Sequence, residues 1–170
     1  QEYDVVGISI VGISQIIPGL TLARMIKEKY PHLHITLGGP IFSVNAGQLI
    51  GHPEFFDDFC HSVVTFEGEE PMHRLLSALK AGDSLSTVPN LLHLDGREVV
   101  QNKERVELRF EELPNPDFEG LPMDKYLSPY PILPVLQSRG CYWGKCTFCT
   151  HSFVYGHRYG KQKTQAMVDE

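Results

Sequence analysis

From Val5 to Ile10 the chain is apolar and mostly β-branched, the pattern of a strand buried on both faces. After a loop containing Ser and Gly, Pro18 suits the first turn of a helix. Leu22, Ile26 and Tyr30 then recur at i, i+4 and i+8, while Arg24, Lys27, Glu28 and Lys29 lie elsewhere on the helix. This spacing predicts an amphipathic helix of about three turns, which Pro31 stops. His34-Ile35-Thr36-Leu37 forms the next strand and runs into Gly38-Gly39-Pro40. A weaker repetition comes next: a helix from Val44 to Ile50, a loop through Pro53, a strand from Ser62 to Phe66 and a helix from Pro71 to Lys80.

Strands alternating with helices imply right-handed βαβ units and a parallel sheet. Ligands of such sheets sit at the carboxyl ends of the strands. Here those ends are Ser9 to Ser14, Gly38-Gly39-Pro40 and Glu67-Gly68-Glu69-Glu70, three loops expected on one rim. Leu91-Leu92-His93-Leu94, Asp95-Gly96 and Glu98-Val99-Val100 then read as a hairpin with an Asp-Gly turn, a small β appendage. Pro114, Pro116, Pro122, Pro129, Pro131 and Pro134 place half of the chain's 12 prolines in one short stretch, which should be an extended, stiff connector. The expected division is residues 1–88 for the α/β unit, 89–110 for the hairpin, 111–133 for the linker and 134–170 for the start of a second, truncated domain.

Charge narrows the partners. Lys+Arg 15 against Asp+Glu 21 leaves a net charge of −6, so the basic field of a nucleic-acid binder is missing and no nucleic-acid partner is expected. No apolar run reaches the ~18 residues of a membrane helix, and no signal-peptide pattern opens the chain. No membrane association is expected, and the cytoplasm is the expected compartment. The opening strand begins almost at Gln1, and Gln162 to Glu170 reads as the start of a helix; a piece of a longer protein is the expectation.

The four cysteines fall three and one: Cys141, Cys146 and Cys149 within nine residues, and Cys60 apart. That is no disulfide framework. The C-x4-C-x2-C spacing, with Gly140 and Gly144 to let the backbone curl, can turn three thiolates toward one point. Thiolates at this density suit zinc or an iron–sulfur cluster. A closed zinc site needs a fourth ligand, from His151, His157 or Cys60, and would make the chain a non-catalytic binding module with a Cys3His knuckle. A cubane cluster held by three cysteines leaves one iron open for a non-protein ligand.

Ser138-Arg139-Gly140-Cys141 followed by Cys146-Thr147-Phe148-Cys149 resembles the cluster loop of radical S-adenosylmethionine (SAM) enzymes, with one residue more between the first two cysteines than the usual C-x3-C-x2-C. Upstream, Asp4-Val5-Val6-Gly7-Ile8-Ser9, Leu37-Gly38-Gly39-Pro40, Glu67-Gly68-Glu69-Glu70-Pro71, the hairpin, and Leu113-Pro114-Asn115-Pro116-Asp117-Phe118 followed by Tyr126 occur in this order in radical SAM proteins with an N-terminal cobalamin-binding domain. The resemblance spans essentially the whole chain. The Asp-x-His-x-x-Gly segment that supplies histidine to cobalt in some cobalamin proteins is absent.

The resemblance implies an α/β fold: a Rossmann-like (flavodoxin-like) parallel half-domain with a hairpin appendage, a Pro-rich linker, then the first strand and cluster loop of a radical SAM partial barrel. It implies that Cys141, Cys146 and Cys149 ligate a [4Fe–4S] cluster, and that Phe148 packs near the cluster or the adenine of SAM. It implies that Ser9, Ser14, Gly38 and Gly39 contact cobalamin. The implied chemistry is reductive cleavage of SAM to a 5′-deoxyadenosyl radical, for methyl transfer to a weakly activated carbon or phosphorus centre of a small-molecule or peptide substrate, with an external electron donor. Cyclisation or rearrangement without cobalamin is the alternative within the class. Bland roles compete: Ser9 and Ser14 as loop hydroxyls, Gly38-Gly39 as a turn, Glu67 to Glu70 as a helix N-terminus, and Cys60 as a buried small hydrophobe.

Overall fold

The computed structural model describes residues 3–106, 108–114 and 116–162. The helix expected from Gln162 onward falls, beyond its first residue, outside the described residues. The β-branched opening run forms β1 (Val5–Ser9), which pairs in parallel with β2 (His34–Gly38) from Val5↔His34 to Ser9↔Gly38. Strand β3 (Ser62–Val64) adds in parallel to β2. The chain then reverses. Strands β4 (Leu91–Asp95) and β5 (Glu98–Gln101) turn at Asp95-Gly96, with Gly96 at φ 62°, and β4 pairs antiparallel with β3. The result is a mixed α/β structure on one five-stranded sheet of order β1-β2-β3-β4-β5, parallel through its first three strands, as a Rossmann-like fold requires.

The hairpin expected as an appendage is therefore the far side of the main sheet. Leu91 and Leu92 are both fully buried, one on each face, which a free-standing hairpin with a wet side could not offer. Strands added in one direction through right-handed crossovers keep their helices on one face. That face buries Ala23, Phe42, Ala46 and Phe56 against Ile35, Leu37, Val63 and Leu92. Its helices are α1 (Ile16–Lys29), α2 (Pro40–Leu49) and α3 (Pro53–Phe59). The opposite face carries α4 (Glu69–Ala81), whose Leu75 and Ala78 pack on Val64, Val88 and Leu91.

Three elements differ from expectation. In α1 the core-facing side is Ile16, Leu20, Ala23 and Ile26, while Leu22 is 50% and Tyr30 41% exposed. Close packing of α1 on α3 selects the small Ala23, and it brings Lys27 inward: its Nζ donates to the carbonyls of Phe56, Asp57 and Cys60, capping the end of α3. Helix α2 starts at Pro40 rather than Val44, with proline in the first turn where its missing donor costs nothing. Pro53 likewise opens a helix, α3, where a loop was expected.

Beyond β5, the described residues hold no strand until β6 (Ser138–Gly140), and only two short 3-10 turns, Phe110–Glu112 and Met123–Lys125. The strand expected at 134–138 begins at Ser138, clear of Pro131 and Pro134. It pairs antiparallel with β7 (Tyr159–Lys161), and a short helix α5 (His151–Val154) lies between them. The expected first strand of a barrel is thus one rail of a two-stranded ladder, and the described residues contain no barrel. No described helix is long and apolar enough to cross a membrane.

Two histidines lie against the amino ends of β2 and β3. Burial, then the neighbouring His61 and Lys27, push the His34 imidazole down to about 4, and its Nε2 lies 2.9 Å from the Ser62 hydroxyl. His61 Nδ1 accepts the Ile35 N–H, and burial lowers that ring as well. A folded-state pKa below the unfolded value means that the unfolded chain binds more protons between pH 4 and 6.5. Stability from His34 is then fully present above about pH 6.5 and is lost as the pH falls toward 4. We expect a loss of about 2 kcal/mol across that window, allowing for the part of the ring in water, and a flatter profile in His34→Asn, measured by denaturant titration at stepped pH.

Candidate cofactor site

Parallel register puts partners on the same face, so Gly7 and Thr36, and Ser9 and Gly38, form one patch on the face that carries α4, beside the start of that helix. With Gly39, Val64, Gly68 and Met72 this patch lines a groove of about 300 Å³ at the carboxyl end of the sheet. Two glycines make it deep. A Cβ on Gly7 would reach only ordinary contact with Thr36 and Met72, and one on Gly38 ordinary contact with Val64. The fold itself does not need glycine at either position. Gly39 differs: at φ 109° its missing Cβ makes room for the Ile10 carbonyl, so it shapes the turn into α2.

Thr36 is 2% exposed, and its Oγ1 has no hydrogen-bond partner. A buried hydroxyl without a partner costs about 1–3 kcal/mol, and the residue that carries this one lines the groove. Thr36 belongs to no motif; its one mark in the sequence is a hydroxyl at an alternate position in an otherwise apolar strand. Ser9 lies on the groove. Ser14 is exposed in a single turn of 3-10 helix ahead of α1 and does not line it. That loop is fixed instead by Gln15, whose Oε1 accepts the N–H groups of Val11 and Gly12.

Pro40, next to Gly39, forms one wall of a second groove of about 340 Å³, whose other walls are Phe148, Cys149, Thr150, His151, Val154 and Tyr155. The cysteine loop thus meets the carboxyl end of the sheet at the start of α2. All three loop cysteines are free; Cys146 and Cys149 are exposed and Cys141 partly so. The Gly144 N–H donates to Cys141 Sγ at 3.5 Å, and the Cys149 N–H to the Cys146 carbonyl at 3.3 Å. Gly140 and Gly144 adopt φ 86° and 61°; a Cβ on Gly140 would overlap the Arg158 carbonyl across the ladder. Phe148 is 88% exposed.

Among the described residues no group of three or more His, Cys, Asp and Glu side chains is gathered to hold a metal. His151 Nε2 lies 3.3 Å from the Gly140 carbonyl and its ring packs on Tyr155; His157 is exposed, and its backbone N–H donates to the Ser152 carbonyl. Cys60 is 1% exposed in the core beside α3, where burial pushes its thiol up to about 12.

The acidic rim also departs from a plain helix N-terminus. Glu67 is buried, and its carboxylate accepts from Arg139 at 3.3 Å, Arg158 at 2.6 Å and the Leu108 N–H at 3.2 Å. Glu69 takes the other guanidinium nitrogen of Arg139 at 2.7 Å.

No known protein family profile matches the chain. It is 28% identical over 169 residues to a protein of Pyrococcus horikoshii named as an uncharacterized methyltransferase, covering 98% of this chain and 36% of that protein. Two solved structures of TsrM, a radical S-adenosylmethionine methyltransferase from Kitasatospora setae, are similar over 100% of the chain. One holds cobalamin and a [4Fe–4S] cluster, with TM-score 0.65 and 20% identity over 35% of that protein. The other holds tryptophan substrate and a SAM analogue, with TM-score 0.68 and 19% identity over 34% of it. The chain spans about a third of the length of these relatives, and its fold is similar to that of the corresponding part of TsrM.

Proposed function

We propose that the chain is part of a cobalamin-dependent radical SAM methyltransferase, in which the sheet groove receives the nucleotide tail of the corrinoid and the cysteine loop holds the cluster. The observation that carries this reading is the groove itself. It lies at the carboxyl end of parallel strands, is floored by glycines the fold does not need, holds a buried hydroxyl without a partner, and abuts the cysteine loop through Gly39 and Pro40. Gly7, Gly38, Thr36 and Ser9 would hold the corrinoid tail in this groove.

The donor types of the loop suit a cluster: three free thiols within nine residues, with Cys60 buried in the core and His151 Nε2 against the Gly140 carbonyl. Cys141, Cys146 and Cys149 would hold the cluster, which with SAM supplies reductive cleavage to a 5′-deoxyadenosyl radical. The residues of this chain bind and orient: the glycine floor seats the corrinoid tail, and Phe148 and Tyr155 wall the space beside Cys149. A small-molecule or peptide substrate and an external electron donor complete the reading.

The test is titration of the anaerobically reconstituted protein with cobalamin. Gly38→Ala places a methyl group on the groove floor and should weaken binding tenfold or more while leaving stability within about 1 kcal/mol. Thr36→Val keeps the shape and removes the lone hydroxyl; it should leave the fold at least as stable and weaken binding several-fold. Cobalamin affinity untouched by both changes would sink the groove assignment.

A further inference from the structure

We infer that Glu67 is a positioning residue for the cysteine loop: one buried carboxylate grips both rails of the ladder from which the loop hangs. The consequence for a cluster rests on the function proposed above; the mechanical role does not.

The loop from Cys141 to Arg158 is closed at its base by β6 and β7, with Arg139 opposite Gly160. Each rail contributes one arginine, Arg139 from β6 and Arg158 from the residue before β7. Arg139 Nη1 donates to Glu67 Oε1, and Arg158 Nη2 to Oε2. The Leu108 N–H donates to Oε2, and Arg158 Nη1 returns a bond to the Leu108 carbonyl at 2.9 Å, which ties in the linker. Glu67 lies just past the end of β3, the strand whose Val64 borders the sheet groove. The carboxylate is thus the joint between the sheet and the loop, with Arg139 only two residues from Cys141.

Energetics argue that this joint exists for geometry. The Glu67 side chain is 6% and the Arg139 side chain 17% exposed. Withdrawing such charges from water costs about as much as their attraction returns, and well-packed apolar residues would hold the surfaces together equally well. What an apolar contact lacks is direction. Two arginines on one carboxylate fix angle as well as distance, and Phe110, set against Gly160 and under the Arg139 guanidinium at 5.3 Å, limits the remaining freedom. Gly140, with no room for a Cβ at the Arg158 carbonyl, holds the rails at close approach. The direction thus fixed is that of the segment entering Cys141.

The experiment compares Glu67→Gln, which keeps shape and removes charge, with Glu67→Asp, which keeps charge, in the full-length protein. Amide hydrogen exchange in the metal-free protein reads the mechanical role. Glu67→Gln should speed exchange at residues 138–140 and 159–161 tenfold or more, leave residues 34–38 and 62–64 within twofold, and be largely rescued by Glu67→Asp. Uniform acceleration over sheet and ladder, or none at the ladder, would overturn the assignment. Arg158→Met supplies an independent arm should Glu67→Gln fail to fold: it removes one grip from a partly exposed side chain and should loosen 159–161 by the same criterion, and an unchanged ladder would overturn the assignment too. In the reconstituted protein, the change that SAM produces in the electron paramagnetic resonance spectrum of the cluster should be lost in Glu67→Gln and restored in Glu67→Asp. Wild-type protein that takes up no iron would defeat the proposed function and leave the exchange result standing.

Discussion

Alanine in place of Gly39 is expected to lower folding stability by about 3–5 kcal/mol and Tm by about 10 °C. Two costs combine. Gly39 sits at φ 109°, ψ 167°, a region open to glycine alone, and forcing an L-residue there costs about 1–3 kcal/mol. The added Cβ would also overlap the Ile10 carbonyl oxygen, and relief would require β1 or the start of α2 to shift. Ile10 cannot yield easily, since its N–H donates to the Gly38 carbonyl at 2.8 Å and its side chain is 1% exposed. The adjacent Gly38→Ala is the control. Its Cβ meets only ordinary contact, so two neighbouring glycines should separate cleanly: one governs the fold, the other the groove. Thermal melts of the two variants decide this, and equal stability would show that the turn into α2 adapts.

Alanine in place of Cys146 is expected to reduce cluster iron in the reconstituted protein from about four atoms per chain to less than one. With Cys146 gone, the loop retains two thiols, which cannot hold a cubane against loss to solvent or chelator. Cys60→Ala should retain full iron, because that thiol is buried in the core away from the loop and held protonated. Iron and labile-sulfide assays after gel filtration make the comparison. Zinc bound without sulfide in the wild type, or iron retained in Cys146→Ala, would refute the proposed cluster. The same pair of variants can be read by alkylation of the apo protein near neutral pH, where Cys60 should stay unlabelled until the chain unfolds.

What the sequence made legible was local. Val5 to Ile10 and His34 to Leu37 announce strands through their own composition, and Asp95-Gly96 announces its turn. The sheet's order was not legible, because the pairing of β3 with β4 joins segments separated by a helix and leaves no local mark. Counting large apolar residues placed the buried face of α1 on Leu22 and Tyr30, whereas close helix packing favours Ala23 and turns Lys27 into a cap. Helix α3 was missed because seven residues are too few to establish a period, and its leading Pro53 reads equally as a break. At the candidate site, the Gly38-Gly39 pair and the cysteine spacing stood out as motifs. Thr36 and Glu67 did not, since the first is distinguished by lacking a partner and the second by partners 72 and 91 residues away.

That last separation orders events during synthesis. At about 5–20 residues per second, Arg158 leaves the ribosome about 5–18 s after Glu67. Strands β1 to β5 are complete by Gln101, so the sheet can form while the Glu67 carboxylate is still hydrated and without its arginines. Burying it alone would be strongly unfavourable, which keeps the rim of the sheet open to water until both arginines have emerged. The nascent chain therefore seats its cysteine loop after the sheet, on a platform already built.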